Sequence, residues 1–434
     1  MKREKKIHFV GIAGVGMSAL AQMLFHGGAR ITGSDNARFP TLDAVEKLGI
    51  PVTIGYRTEN IPEDAELVVY TDAAHPDNVE RVEAACRGIP QKSYFEMLGE
   101  VSKGPSTSSG QGRKTIAVAG THGKTTTTGM LAKILKDAGA SPTAIVGSIV
   151  KDFGSNYLHG DSNLFVVEAD EYRAHFLQLS PRVLVINNLE WDHTDFYPSL
   201  EAMQETFRQA IESVPADGAI VTNPADKNIA PLLVSAKARV IDYTKESEYK
   251  LNVPGEFNQN NARAAAAAAC AAIPSISDAI IASALADFHG TWRRFEYKGK
   301  TAKGAEVYDD YAHHPTAIRV TLSALRARVK RNIIVAFHPH LYSRTRDLLN
   351  EFAVAFSDAD RVLIAPIYAA REVNDGSISS EILAERIRAT GTETTALDFN
   401  AIEKELNKVE KGNTIITMGA GDIYKIADAL VAQK

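Results

Sequence analysis

The sequence predicts an α/β protein of three domains with mostly parallel sheets. Its 434 residues exceed the length at which one hydrophobic core keeps growing. Short β-branched apolar runs alternate with segments of helical spacing, which is the pattern of strands joined by crossover helices. Glycine-rich turns follow two of these runs. The predicted domains are residues 1–103, 114–289 and 290–434, with a linker at residues 104–113.

The composition is that of an ordinary globular protein, with 45% hydrophobic and 23% charged residues. A net charge of -5 without a block of basic residues argues against a nucleic-acid partner. No apolar stretch approaches the ~18 residues that a membrane span needs, and the charged start lacks a signal-peptide core. We therefore expect a cytoplasmic protein with no membrane partner.

The first domain opens with a glycine turn between a strand and a helix. The predicted strands are residues 7–10, 29–33 and 67–71, and the helix is residues 17–25. A strand, a glycine turn, a helix and a strand begin a doubly wound α/β unit. Gly11, Gly14 and Gly16 have the reverse of the dinucleotide spacing, and Asp35 is placed to hold a ribose. The turn either binds a ligand or is a tight crossing without one.

The linker, residues 104–113, contains no large apolar side chain, and a second glycine turn follows it. This turn joins a predicted strand, residues 115–119, to a helix. Its backbone N–H groups and the helix N-terminus suit phosphates, and Lys124 adds a full charge. The Thr125 hydroxyl is placed to bind Mg²⁺. Val118 stands where the usual phosphate loop has its first glycine, so the loop is a shortened variant.

Acidic and imidazole side chains follow the next two predicted strands, residues 164–168 and 183–187. Glu168 ends the first, and Asp192 and His193 come shortly after the second. They either hold divalent cations against the phosphates or merely cap helices and face solvent. The remaining predicted strands are residues 219–222, 333–337, 361–365 and 414–418.

Eight segments, in order, resemble the motifs of the Mur ligase family across the whole chain except the linker. They are residues 120–127, 168–171, 188–193, 255–262, 293–295, 309–316, 337–347 and 419–423. The resemblance implies an N-terminal Rossmann-like domain for a UDP-sugar, a central P-loop ATPase domain and a C-terminal Rossmann-like domain for an amino acid. It also implies that ATP phosphorylates a carboxylate, which the amine of the amino acid then attacks.

Two branches of the family, and one other class, are compatible with the sequence. Residues 311–314 and 339–346 resemble the branch that joins L-alanine to UDP-N-acetylmuramate with ATP and Mg²⁺. The chain itself is expected to be a monomer or a homodimer. Residues 187–190 also suit the branch that attaches a recycled tripeptide to the same UDP-sugar. The third possibility is an NAD(P)-binding oxidoreductase or a regulatory nucleotide-binding protein.

The resemblance also implies individual roles. The expected ATP-binding residues are Gly120, Thr121, His122, Gly123, Lys124, Thr125, Thr126, Asn258, Asn261, Arg294 and Asp310. The expected substrate residues are Gly14, Val15, Gly16, Met17, Asp35, Tyr311, His313 and Arg344. Thr125, Glu168 and His193 are expected to bind Mg²⁺. The expected catalytic residues are Lys124, Glu168, His193, His313 and Arg344, with His313 the candidate base.

Two positions depart from the pattern of some relatives. Leu341 stands where some of them have a basic residue, which implies a different amino-acid pocket. Tyr172 and Arg173 follow the Glu-Ala-Asp-Glu run where others have serine and aspartate, although a Tyr-Arg variant also fits the family.

Overall fold

The computed structural model describes residues 5–104 and 112–432, which form two compact units. The first unit comprises Met1–Glu190, Met203–Asn252 and Gln259–Thr291. The second comprises Trp191–Ala202, Val253–Asn258 and Trp292–Lys434. Residues 105–111 of the predicted linker lie outside the described residues. The exact domain boundaries stay predictions.

The first sheet of the first unit has five parallel strands in the order β3-β2-β1-β4-β5. They are β1 (Lys6–Val10), β2 (Arg30–Asp35), β3 (Val52–Ile54), β4 (Leu67–Tyr70) and β5 (Gln91–Ser93). The helices are α1 (Val15–His26), α2 (Leu42–Lys47), α3 (Val79–Cys86) and α4 (Tyr94–Lys103). Ser93 starts α4 with a capping box, in which its side chain and that of Glu96 each accept a backbone N–H of the other residue.

The second sheet of this unit has seven strands in the order β12-β11-β10-β6-β9-β7-β8. They are β6 (Lys114–Ala119), β7 (Thr143–Val150), β8 (Ser155–Leu158), β9 (Leu164–Glu168), β10 (Val183–Ile186), β11 (Ala219–Thr222) and β12 (Arg239–Asp242). Only β8 pairs antiparallel. The helices that follow in the chain are α5 (Lys124–Asp137), α6 (Leu200–Ser213), α7 (Glu256–Ala272) and α8 (Asp278–Ala286). β10 and β11 are buried along their whole length because helices cover parallel sheets on both faces.

The sheet of the second unit has six strands in the order β13-β14-β18-β15-β16-β17. They are β13 (Glu296–Lys300), β14 (Glu306–Asp310), β15 (Ile333–Phe337), β16 (Arg361–Ile364), β17 (Glu393–Ala396) and β18 (Thr414–Met418). Its helices are α9 (Pro315–Arg326), α10 (Tyr342–Asp347), α11 (Leu349–Ala355), α12 (Ser380–Arg388), α13 (Phe399–Leu406) and α14 (Tyr424–Ala432). Two hydrophobic clusters include alternate residues of the central strands, which places a core on each face.

The predicted α/β class with mostly parallel sheets is confirmed. Four predicted strands, residues 164–168, 219–222, 333–337 and 414–418, have the observed bounds, and the others differ by one or two residues. None of the helices in the described part of the chain is long and apolar enough to cross a membrane.

Candidate active site

The phosphate loop is a tight turn that only glycine can make at two positions. Gly120 and Gly123 have φ angles of 118° and 81°, and α5 begins directly at Lys124. A Cβ added to Gly120 would lie 2.9 Å from the backbone oxygen of Asn188. A Cβ added to Gly123 would lie 2.2 Å from Asn261 Oδ1. The glycines therefore let the loop approach its neighbours closely.

Two asparagines hold the loop from the adjacent strand. β6 lies between β9 and β10, so the carboxyl ends of all three parallel strands meet at the loop. The side-chain amides of Asn187 and Asn188 each donate to the carbonyl of His122 at 3.2 Å. The His122 N–H donates to Asn188 Oδ1 at 2.8 Å. Thr121 is tied down as well, since its hydroxyl donates to the Glu190 carbonyl at 3.0 Å.

Lys124 is paired with a buried carboxylate. Its Nζ lies 2.8 Å from Glu171 Oε1 and donates to the carbonyl of Gly120 at 2.7 Å. Glu171 is fully buried. Burial disfavours the charged amine, but the carboxylates of Glu171, Asp170 and Glu168 outweigh it and raise the pKa of Lys124. The lysine is therefore a permanent positive charge within the loop.

Thr125 and Glu168, the two predicted metal ligands of the first unit, lie side by side. The Thr125 hydroxyl donates to Glu168 Oε1 at 3.0 Å. The other carboxylate oxygen accepts the Gly147 N–H at 2.7 Å, and a Cβ added at Gly147 would collide with it. An oriented carboxylate beside a hydroxyl is the oxygen pair that a hard divalent cation such as Mg²⁺ prefers. The residues present therefore fit a Mg²⁺ ion.

The other predicted ATP residues divide between the two units. Thr126 is buried in the first turn of α5, and the Thr127 hydroxyl beside it donates to Asn261 Oδ1 at 3.3 Å. Asn258 belongs to the second unit, where its amide donates to the Pro254 carbonyl at 2.6 Å. His193, the third predicted metal ligand, is also in the second unit. The roles of Asn258 and His193 at the phosphate loop stay predictions.

The glycine turn of the first sheet is organised by Asp35. This buried carboxylate accepts the Ala13 N–H at 2.9 Å. Burial raises the pKa of Asp35, and the hydrogen bonds from Ala13 and nearby backbone N–H groups oppose that rise. Gly14 precedes α1, whose first residues are Val15, Gly16 and Met17. A helix N-terminus of this kind suits an anion, while Asp35 acts on the turn itself.

In the second unit, Arg344 forms a buried ion pair with Asp192. Its Nε donates to Asp192 Oδ1 at 2.7 Å, and the two residues are 1% and 3% exposed. Arg344 Nη1 lies 3.0 Å from His340 Nδ1. Burial disfavours the carboxylate, but the charge of Arg344 outweighs it and holds the pKa of Asp192 well below its usual range. The guanidinium is therefore firmly oriented.

Tyr311 and His313 lie in the same region as Arg344. His313 Nδ1 lies 3.0 Å from the Tyr311 carbonyl, and its ring centroid is 5.9 Å from that of His340. Burial and then Arg344 lower the pKa of His313 well below its ordinary value. The same two causes lower the pKa of His340 to about 3. Both imidazoles are neutral at pH 7, and His340 was not predicted from the sequence.

Asp310 and Arg294 also lie together. Asp310 accepts the N–H groups of Phe295 and Ala312, each at 2.6 Å. Burial raises the pKa of Asp310 to about 6, although Arg294 opposes the rise. The Arg294 guanidinium lies 4.8 Å from the centroid of the Tyr311 ring.

Sequence reasoning singled out Arg294 and missed its neighbour Arg293. Arg293 is buried, pairs with Asp309 at 2.8 Å and donates to the Gly419 carbonyl at 2.6 Å. It therefore fixes the turn after β18. Glu171, Asn187 and Asn188 were missed as well, although all three lie within a family motif or directly beside one.

Comparison with known proteins gives matches along the whole chain. Three family descriptions match in order: Mur ligase family, catalytic domain, at residues 6–104; Mur ligase middle domain at 118–251; and Mur ligase, glutamate ligase domain, at 293–421. The UDP-N-acetylmuramate–L-alanine ligase of Acetivibrio thermocellus is 38% identical over 462 residues, covering 99% of this chain and 96% of that protein.

Two solved structures are similar over the same length. The crystal structure of UDP-N-acetylmuramate–alanine ligase from Thermotoga maritima is 29% identical, with a TM-score of 0.79, covering 99% of this chain and 98% of that one. A murein peptide ligase from Psychrobacter arcticus is 26% identical, with a TM-score of 0.73 and the same coverage.

Proposed function

The chain belongs to the Mur ligase family, and we propose that it joins L-alanine to the carboxylate of UDP-N-acetylmuramate with the hydrolysis of ATP. The observation that carries the proposal is the phosphate loop, in which Lys124 is held charged beside the Thr125–Glu168 oxygen pair. The full-length similarity to an L-alanine ligase supports this choice of substrates.

The first step is transfer of the γ-phosphoryl group of ATP to the sugar carboxylate, with ADP as the leaving group. Two anions must approach each other, and both need positive charge nearby. The loop N–H groups bind the phosphates, and Lys124 stabilises the charge on the transferring group. Mg²⁺ bound by Thr125 and Glu168 would neutralise charge on the phosphate oxygens.

The second step joins the amino acid. Its neutral amine attacks the acyl phosphate, and the C–N bond forms. The C–O bond then breaks, and inorganic phosphate leaves with the proton that the nitrogen gives up. We assign the amino acid to the region of Tyr311, His313 and Arg344. Because Asp192 and His340 already contact the Arg344 guanidinium, we infer that Arg344 orients this region as well as supplying charge to the α-carboxylate.

Phosphate release tests the proposal directly. The purified chain is incubated with ATP, Mg²⁺, UDP-N-acetylmuramate and one amine substrate, and phosphate is measured with Lys124→Ala as the inactive control. L-alanine-dependent release, with a product of the mass of UDP-N-acetylmuramoyl-L-alanine, is expected. Absence of amino-acid-dependent release would refute the proposal.

The second candidate function is ligation of a tripeptide to the same UDP-sugar. The structural similarity to the Psychrobacter arcticus murein peptide ligase favours it, although at lower identity than the L-alanine ligase of Acetivibrio thermocellus. Release that depends on the tripeptide and is absent with L-alanine would establish this candidate instead. An NAD(P)-dependent oxidoreductase is not favoured, because the chain belongs to a ligase family.

A further inference from the structure

Two consecutive residues after the Glu168–Glu171 motif have a strained backbone. Arg173 and Ala174 have φ angles of 52° and 59°, within the 3₁₀ segment Tyr172–Gln178. Residues with a Cβ rarely adopt this left-handed conformation, because the side chain then crowds the backbone. Such strain persists only where the surrounding structure enforces it, and it accumulates at functional sites.

Contacts on both sides enforce the strain. The Ala174 N–H donates to the Glu171 carbonyl at 2.9 Å, and the Phe176 N–H donates to the Asp170 carbonyl at 3.1 Å. Phe176 is buried, with its ring centroid 5.0 Å from that of Phe207. The strained turn is therefore anchored directly to the segment whose Glu171 holds the lysine of the phosphate loop.

The same segment reaches the ligand-binding edge of the first sheet. His175 stacks on Phe95 with a centroid distance of 3.7 Å, and its Nε2 lies 3.2 Å from Asp72. Asp72 follows β4, and the glycine turn follows β1. The strand order reverses between β1 and β4, and open parallel sheets bind ligands in the crevice at such a point.

Arg173 brings a positive charge to this place. Burial lowers the pKa of His175, and the Arg173 guanidinium lowers it further, while Asp72 and Asp170 oppose the change. Arg173 is exposed, and its guanidinium lies 5.5 Å from the centroid of the Tyr172 ring, which carries no formal charge. Within residues 5–104 and 112–432, no carboxylate lies within ion-pair distance of it. An exposed guanidinium without an ion-pair partner is suited to an anionic ligand.

We propose that Arg173 binds the carboxylate of the UDP-sugar that receives the phosphoryl group, an inference that rests on the proposed function. The acceptor carboxylate must come close to Lys124, and Arg173 lies two residues beyond the carboxylate that holds this lysine. The diphosphate of the same substrate is expected at the backbone N–H groups of the glycine turn. Arg173 therefore distinguishes a sugar that carries a carboxylate from one that lacks it.

Equilibrium binding of two nucleotide sugars to the full chain tests this inference. UDP-N-acetylglucosamine shares the uridine, diphosphate and amino sugar of UDP-N-acetylmuramate but lacks its carboxylate. Arg173→Ala is expected to weaken binding of UDP-N-acetylmuramate about ten- to a hundredfold and to leave UDP-N-acetylglucosamine unchanged. Arg173→Lys should give an intermediate loss, because it keeps the charge without the guanidinium fork.

Two variants serve as controls. Arg182→Ala removes another exposed arginine, which directly precedes β10 and pairs with Asp217. It should change the affinity for neither of the two nucleotide sugars. Ala174→Gly keeps the guanidinium while relieving strain, and should raise the melting temperature without weakening UDP-N-acetylmuramate binding more than about twofold.

The remaining outcomes separate this inference from the proposed function. Equal losses for both sugars would assign Arg173 to the diphosphate and overturn the inference, as would no loss for either. In turnover, Arg173→Ala should raise the KM for UDP-N-acetylmuramate and leave the KM for ATP unchanged. A wild-type chain that binds both sugars without L-alanine-dependent phosphate release would refute the proposed function alone, since the binding ratio still decides the role of Arg173.

Discussion

Replacement of Arg344 by methionine removes the charge from a buried ion pair while keeping a long side chain. Both Arg344 and Asp192 are almost fully buried, so the variant leaves a carboxylate without its counter-ion. Breaking such a pair costs about 3–5 kcal/mol of the free energy of unfolding. The backbone N–H of His193 still donates to Asp192 at 2.7 Å, so we expect a loss of stability at the lower end of that range.

The pH dependence identifies the cause of the loss. In the wild type the pKa of Asp192 is depressed, so its stabilising contribution is present above its unfolded pKa and disappears only as the pH falls through the folded value. In Arg344→Met burial raises the pKa of Asp192 instead. The carboxylate then destabilises the folded state at pH 7, and protonation on acidification relieves this cost. The difference from the wild type should shrink between pH 7 and pH 5.

Urea unfolding followed by circular dichroism measures this difference for the full chain. The double variant Asp192→Asn/Arg344→Met should lose less stability than Arg344→Met, because it buries no unpaired charge. A loss below about 1 kcal/mol, typical of exposed pairs, would refute the reasoning. A loss of equal size at pH 7 and pH 5 would also refute it.

Three further predictions concern the loop and Asp310. Lys124→Ala should abolish ATP turnover and keep UDP-N-acetylmuramate binding, and joint loss of both in a folded variant would contradict the separate sites. Gly123→Ala forces a Cβ against Asn261 and should abolish turnover. The matched control is Gly139→Ala, at φ 73° with no atom within 4 Å of the added Cβ, which should lose only about 1–2 kcal/mol of stability and stay active. Equal turnover of the two variants would contradict the prediction. Because the pKa of Asp310 is raised to about 6, its contribution to stability should fall as the pH rises from about 4 to 6. In urea titrations over this range Asp310→Asn should remove this contribution, and a slope equal to that of the wild type would count against the assignment.

The four strands whose bounds were predicted correctly are those whose residues are apolar on both faces. β9, β11, β15 and β18 lie inside their sheets, and their Val- and Ile-rich runs are visible without knowledge of the fold. Edge strands such as β13, with the sequence Glu-Tyr-Lys-Gly-Lys, pair on one side only and carry polar residues. Their pairing depends on a distant partner, which no local pattern reveals.

The same distinction applies to the site. Lys124 was predicted because the loop chemistry depends on residues that are adjacent in the chain. Glu171, Asn188 and His340 act through contacts across strands or with distant residues. Which carboxylate or amide forms such a contact depends on the tertiary structure. The left-handed backbone at Arg173 has no sequence signal, since it occurs at a residue other than glycine.

Asn187 and Asn188, which hold the backbone of His122, form an asparagine clamp on the phosphate loop. Its members are carboxamides, which neither gain nor lose protons and do not depend on ionic strength for their attraction. The clamp therefore fixes the shape of the phosphate loop by itself, so binding of a nucleotide need not order a flexible segment. If the affinity for ATP changes with pH or with added salt, we expect the change to arise from the ammonium and carboxylate groups around the clamp. The loop itself should keep one shape throughout.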